Sequence, residues 1–302
     1  MLPDDNTVKI LADQVLDVSS TDHPHYNPYG NNDFSIQHTL KNLKIKISKI
    51  STIEMEFDLI GVDASFANAL RRIMISEIPT MAIEKVYMLN NTVNEDPTDQ
   101  NTIVFKLDAT CQYRKGVSAS EPDPNKKYIN SSIFSNQLVW DPKGDQAQRF
   151  TGPTLIAPVH GDILITKLRP GQEIQCELHC QKGIGRDHSK FSPVATASYR
   201  LLPKITILQD IIGDDAYKFQ NCFPPGTPKA KVLNPRKDTV SREVLRHKEF
   251  KDKVKLERVR DHFIFNIEST GAISPPEILH MSIEILASKC QNLKQSISSL
   301  LE

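Results

Sequence analysis

The sequence predicts an α+β fold: an antiparallel sheet carrying helices, interrupted by a mostly-β segment. Three observations carry this expectation. A period-two pattern of apolar residues begins at Leu43 and runs through two short segments. A capped amphipathic helix follows them, and a second, long helix occupies the last residues. Between the two, residues 101–231 read as short alternating segments separated by turn formers, the pattern of a β-rich region.

In chain order, residues 1–39 are polar, and "STDHPHYNPYGNND" is dense in turn formers, so this stretch reads as an extended arm outside the core. Leu43, Ile45 and Ile47, then Ile53, Met55, Phe57 and Leu59, alternate with mostly polar partners and predict a hairpin of two half-buried strands. Asp63 stands where a helix cap belongs, and Phe66, Ala69, Leu70, Ile73 and Met74 share one helical face. Pro79 closes that helix, and "MAIEKVYML" reads as a third strand of the same unit. Residues 94–101, "NEDPTDQN", are all breakers and mark a boundary. Past residue 231, "DTVSREVLRHKEF" predicts a short helix capped by Asp238 or Thr239, and "DHFIFNIES" a strand through Phe263, Phe265 and Ile267. The final helix enters through Pro275 and Pro276 and carries a stripe of Ile278, Met281, Ile285, Leu286, Leu293 and Ile297.

Composition excludes several classes. Lys and Arg together number 37, as do Asp and Glu, so no global charge marks a nucleic-acid or membrane binder. No apolar run approaches the ~20 residues of a membrane span, and the first residues lack the apolar run of a signal peptide. The five cysteines are scattered without a C-x-x-C pair, so a metal site is not expected, and Cys176 and Cys180 read as buried thiols. The sequons at Asn90 and Asn130 carry little weight, and a reducing compartment fits this cysteine usage.

Three stretches are candidate sites. "GIGRDHSKFSPVATASY", residues 183–199, has a G-x-G but neither the third glycine nor the G-K-[ST] ending of a phosphate loop. Its Asp187, His188 and Ser189 are adjacent, whereas a relay is assembled from separate segments, and no G-x-S-x-G elbow is present; no catalytic residue is expected. From Lys229 to Arg260 the chain has twelve Lys or Arg against five Asp or Glu, which reads either as a nucleic-acid-facing patch or as a solvated face. Arg71 and Arg72 border the apolar stripe of the first helix. Two apolar helix faces in one small unit point to an oligomeric interface or to packing within the chain.

Taken together, three stretches resemble the α-like subunits of multisubunit RNA polymerases: "FDLIGVDASFANALRRIMISEIPTMAIEKVYMLNN", "GIGRDHSKFSPVATASYRLLP" and "DHFIFNIESTGAISPPEIL". Within that family, "LRPGQEI", "NCFPPG" and "RKDTVSREVLR" resemble the larger α-like subunit shared by eukaryotic RNA polymerases I and III, and the lack of a cysteine cluster sets the chain apart from the zinc-bearing polymerase II paralogue. The resemblance implies a dimerisation domain formed by residues 40–100 and 232–302, with residues 101–231 as an inserted mostly-β domain. It implies a non-catalytic nuclear subunit without cofactor or metal that pairs with a smaller α-like subunit. That pair would form the platform for the two largest subunits and small adaptor subunits, meeting DNA only through the complex. Phe66, Ala69, Leu70, Ile73, Ile278, Met281, Ile285 and Leu293 are the interface expected on this reading. Arg71, Arg72, Arg186, His188, Lys190 and Phe191 are the expected large-subunit docking residues. One departure stands out: after "VYMLNN" the family continues with another amphipathic segment and strand, whereas "TVNEDPTDQN" leads here almost directly to "TIVFKLD".

Overall fold

The structure is a computed structural model that describes residues 7–18, 36–88, 102–118, 121–152, 155–223, 228–229, 231–232, 235–238 and 241–301. Its chain forms two compact units, one from Met1–Met74, Val194–Ser269 and Ser274–Glu302, the other from Ile75–Pro193 and Thr270–Ile273.

The first unit is built on strand Val254–Ser269, which pairs antiparallel along its length with Val194–Ile207. Its opposite edge is shared by Thr7–Ile10 and then Glu54–Ile60, and Lys44–Ile50 pairs outside the latter as the expected hairpin. Met55, Phe57 and Leu59 stand opposite Ile267, Phe265 and Phe263, and all six are fully buried. Residues directly opposite in an antiparallel pair share a face. Phe57 and Phe265 stack at 5.0 Å, and Tyr199 meets the Phe263 ring edge-on at 5.3 Å. Pro203, which has no N–H for a ladder, falls where the register of Val194–Ile207 shifts.

Two helices belong to this unit's core. In Ala64–Ser76 the Asp63 carboxylate accepts from the Ser65 amide at 2.7 Å, as the cap requires, and Ala67, Leu70, Ile73 and Met74 are buried. The turn before it needs Gly61, at φ 78°, because a Cβ there would run into the Asn42 backbone. Helix Pro275–Leu301 packs on Glu54–Ile60 and Val254–Ser269 through its first turns, where Ile278 and Leu279 are buried. A second cluster gathers Ile10, Ile205, Phe219, Phe223, Val244, Phe250 and Leu256 below helix Asp214–Asn221.

Three expectations are corrected here. The N-terminal stretch is not all arm: Thr7–Ile10 is a sheet strand with Val8 and Ile10 buried, and the Thr7 hydroxyl donates to Glu257 at 2.8 Å. A four-residue alternating run was hidden by the polarity around it, and "STDHPHYNPYGNND" lies outside the described residues. Strand Pro79–Met88 leaves the hairpin and pairs with Glu173–Ile184 in the second unit, while Val194–Ile207 joins the first, so the packing boundaries fall near residues 75 and 193 rather than 100 and 231. The helix expected from Asp238 or Thr239 is a single turn, Glu243–Arg246, with the Glu243 amide donating to the Ser241 hydroxyl at 3.1 Å. Asp238 is buried ahead of it, and Thr239 lies outside the described residues.

The second unit is a sheet in the order Val139–Asp141, Thr102–Thr110, Glu173–Ile184, Pro79–Met88, with every neighbour antiparallel. One face packs Phe105, Leu107, Ala109, Cys176, Leu178 and Cys180 against Cys111, Ile133 and Leu168. Burial pushes the Cys180 thiol up to about 11, which keeps it protonated and unreactive at neutral pH.

Candidate interaction surfaces

The buried face of the first sheet runs out into solvent at its edge strand. Ile45, Ile47 and Ile50 stand opposite Leu59, Phe57 and Met55 and therefore share their face. The register shift between Ile47 and Lys49 is what keeps Ile50 on that side. All three are exposed, Ile47 at 58 %, whereas Phe57 beside it is completely buried. The intervening Lys46 and Lys49 turn to the other face, opposite Asp58 and Glu56. Lysines on an edge strand are a device against sheet-to-sheet aggregation, so the isoleucines they alternate with are the feature needing an explanation.

The two helices expose apolar residues too, in part other than those expected. Phe66 is 39 % exposed and Ala69 half-buried. Leu70 at 2 %, Ile73 and Ile278 are corrections: each is buried in the chain's own core and offers a partner nothing. Met281 and Ile285 are half-buried, and from residue 287 to 300 the last helix is exposed throughout, presenting Leu293, Ile297 and Leu300. Arg71 lies half-buried along the first helix with Nε and Nη2 donating to Asn68 Oδ1 at 3.1 and 2.8 Å, and Arg72 is exposed. The isoleucines of the edge strand were legible only as half-buried positions, since strand order decides which strand is the edge.

The glycine stretch is a tight turn at one end of the second unit's sheet. Phe191, expected among the docking residues, is buried: a Cβ on Gly183 would sit 2.6 Å from its ring, and its carbonyl accepts from the Thr80 hydroxyl at 2.7 Å. Lys190 is ion-paired with Glu84 and donates to the Ile83 carbonyl at 2.9 Å. Arg186 and His188 are exposed, and His188 Nδ1 accepts from the Lys190 amide at 3.1 Å, forming a local turn with no relay to Asp187 or Ser189. Gly185 lies against the Ile75 carbonyl, where any Cβ collides with backbone. Gly185→Ala is therefore expected to destabilise the chain by about 3 kcal/mol in urea unfolding; a midpoint equal to the parent's would contradict this contact.

Five of the twelve basic residues of the run are engaged inside the first unit. Arg236 binds Glu56 and Asp58, Lys253 pairs with Asp215 at 3.2 Å, Lys255 with Glu257 at 2.7 Å, and Arg246 with Glu243 at 2.9 Å. Arg260 donates to the Thr7 and Asp17 carbonyls. Phosphate binding would have to displace these partners, which speaks against the nucleic-acid reading of this segment. Among the described residues, no three His, Cys, Asp or Glu side chains come together to hold a metal ion, and no helix is long and apolar enough to cross a membrane.

A discontinuous sheet-and-helix unit that leaves one apolar face open, with a second β unit inserted in its chain, defines a pairing module. Residues 56–290 match the family described as the RNA polymerase Rpb3/Rpb11 dimerisation domain, and the chain belongs to that family. It is 44 % identical to the DNA-directed RNA polymerases I and III subunit RPAC1 of Saccharomyces cerevisiae, over 96 % of this chain and 98 % of that protein. Identity to the RPAC1 of Homo sapiens is 39 %, covering 95 % of this chain and 93 % of the relative. Similarity to the DNA-directed RNA polymerases II, IV and V subunit 3 of Arabidopsis thaliana is lower, 29 % over 84 % of this chain and 91 % of that one. The alignment with the yeast relative spans 328 residues against the 302 of this chain, so the relative carries at least 26 residues with no counterpart here.

Proposed function

We propose that this chain is a non-catalytic assembly subunit of RNA polymerases I and III, pairing through its first unit with a smaller α-like subunit. The observation that carries the reading is the uncovered continuation of the core face across Ile45, Ile47 and Ile50 in a chain of a dimerisation-domain family. Phe66 and the exposed half of the last helix, with Leu293 and Ile297, extend the same partner surface. An obligate interface of this type buries more than ~2,000 Å² and is apolar at its centre, which one edge strand alone does not supply. The pair then serves as the platform for the two largest subunits, with small adaptor subunits joining it. On this reading the chain works in the nucleus, in nucleolus and nucleoplasm, supporting synthesis of ribosomal RNA, 5S rRNA and tRNA, and meets DNA only through the complex. Arg72, Arg186 and His188, exposed on their elements, are the proposed contacts to large-subunit carboxylates and carbonyls, with Arg71 held by Asn68 beside them in sequence.

Co-expression with the smaller α-like subunit, followed by sizing, tests the pairing. The parent chain is expected to give a 1:1 heterodimer. Ile47→Asp combined with Leu293→Asp is expected to abolish it while leaving the thermal midpoint unchanged, because both side chains are exposed in the chain alone. A stoichiometric complex retained by this variant would overturn the surface.

A further inference from the structure

Among the described residues of the first unit, Arg258 carries a half-buried charge that no carboxylate pairs with. It lies in strand Val254–Ser269, with Val8 directly opposite on one neighbouring strand and Pro203 on the other. Both of those residues are buried, so apolar walls flank the side chain as it leaves the sheet. The Arg258 Nε is cut off from solvent and has no hydrogen-bond partner. A guanidinium donor left unmet in this way costs free energy, and native chains rarely keep one without a use for it.

Its neighbours raise that cost. Burial pushes the Arg258 guanidinium down from its ordinary value, the charge of Arg242 pushes it the same way, and Asp238 opposes them. Like charges are thus held near each other with little water to screen them. Arg242 is half-buried too, and its Nη1 reaches the Ala12 carbonyl only at 3.4 Å, longer than an ordinary hydrogen bond. Arg200 reaches the same turn but gives Nη1 and Nη2 to the Asp238 and Arg236 carbonyls, which carry no net charge. Other carboxylates of this region are committed elsewhere, Glu243 to Arg246, and Glu56 and Asp58 to Arg236. One buried carboxylate, Asp238, therefore stands among three guanidinium groups.

We propose that Arg258 and Arg242 form a binding site for one phosphate group. A guanidinium is a planar fork that meets a phosphate through parallel, charge-assisted hydrogen bonds. A phosphate dianion answers both positive charges at once, whereas a carboxylate answers one. Val8 and Pro203 keep water from the flanks of Arg258, which strengthens such bonds. Both arginines belong to the basic run, yet neither is among its members held by carboxylates, so binding displaces no ion pair. Two adjacent guanidinium groups hold a lone phosphate rather than a row of them, which sets the site apart from a nucleic-acid track.

Isothermal titration calorimetry on the full chain, at constant ionic strength, tests the site with inorganic phosphate, phenyl phosphate and acetate as probes. Inorganic phosphate is expected to bind saturably, at least about tenfold more weakly in Arg258→Met and in Arg242→Met. Binding is expected to be unchanged in Lys248→Ala, an exposed lysine of the same run. Phenyl phosphate binding as tightly identifies a phosphate monoester as the occupant, and binding of inorganic phosphate alone identifies the free ion; either result supports the site. Acetate binding as tight as that of phosphate, no saturable phosphate binding, or binding that Arg258→Met leaves intact overturns it. The thermal midpoint is a second measurement. In phosphate-free buffer Arg258→Met is expected to keep or raise the midpoint, because it removes a charge that has no partner. A lower midpoint would mean that the guanidinium is paired with Asp238 within the chain, and would also overturn the proposal. Neither readout involves another subunit, so failure here leaves the assembly reading standing, and the reverse.

Discussion

Leu70→Asp is expected to unfold the first unit, not merely to release a partner from its surface. Leu70 is 2 % exposed in a helix whose other buried positions are Ala67, Ile73 and Met74. Losing a buried leucine costs about 2–5 kcal/mol, and an uncompensated carboxylate in its place adds several more. The sum rivals the whole stability of an ordinary domain, about 5–15 kcal/mol. The variant is expected to lose its cooperative thermal transition, and complex formation with it. Read by co-purification alone, the result would look like interface loss. Circular dichroism on the chain alone separates the two, because Ile47→Asp with Leu293→Asp keeps its transition while losing the complex. A normal transition for Leu70→Asp would show that this helix face is not core.

Arg236→Ala is expected to produce the largest change among the charged positions. The Arg236 guanidinium holds Asp58 through Nη1 and Glu56 through Nε, at 2.9 Å, and Nη2. Arg200 in turn donates to the Arg236 and Asp238 carbonyls at 2.6 and 3.0 Å, so the 235–238 turn is pinned to the polar face of the sheet. His262 Nε2 lies 3.1 Å from the other Asp58 oxygen. Removing the guanidinium leaves a largely buried carboxylate short of its main partner, with a second carboxylate nearby on the same face. Full burial would give 3–5 kcal/mol; because the Arg236 and Glu56 side chains are 22 % and 32 % exposed, about 2–3 kcal/mol is expected in urea unfolding. Arg236→Lys is expected to recover only part of this, since one ammonium cannot reproduce a fork that serves two carboxylates. Equal stability of Arg236→Ala and the parent would mean that the cluster contributes nothing.

Much of the pairing unit was legible because its signals are local. Asp63 caps the helix that its position predicts, Pro275 opens the last helix, and the Leu43–Leu59 alternation forms the predicted hairpin. The candidate surface was legible only in part. Phe66 and Leu293 are exposed as a partner surface requires, whereas Leu70, Ile73 and Ile278 share their helical stripes and are core. Periodicity shows which residues avoid water but not whether the chain itself or a second chain covers them. Phe191 illustrates the same limit: an aromatic residue in a polar loop looks like an anchor until Gly183 is found making room for its ring.

The sequence by itself determined the hairpin, the two main helices of the first unit with the Asp63 cap and, through three motifs in order, the family. Only the tertiary structure decided which strand belongs to which sheet: Pro79–Met88 pairs across nearly a hundred residues with Glu173–Ile184, and Thr7–Ile10 across some 250 with Val254–Ser269. Strand pairing is a contest among distant backbones settled by register and burial, and no local pattern encodes its outcome. The same contest makes Lys44–Ile50 and Pro79–Met88 edges, and at each edge one shift in register turns the alternating apolar residues onto a face that the chain leaves open.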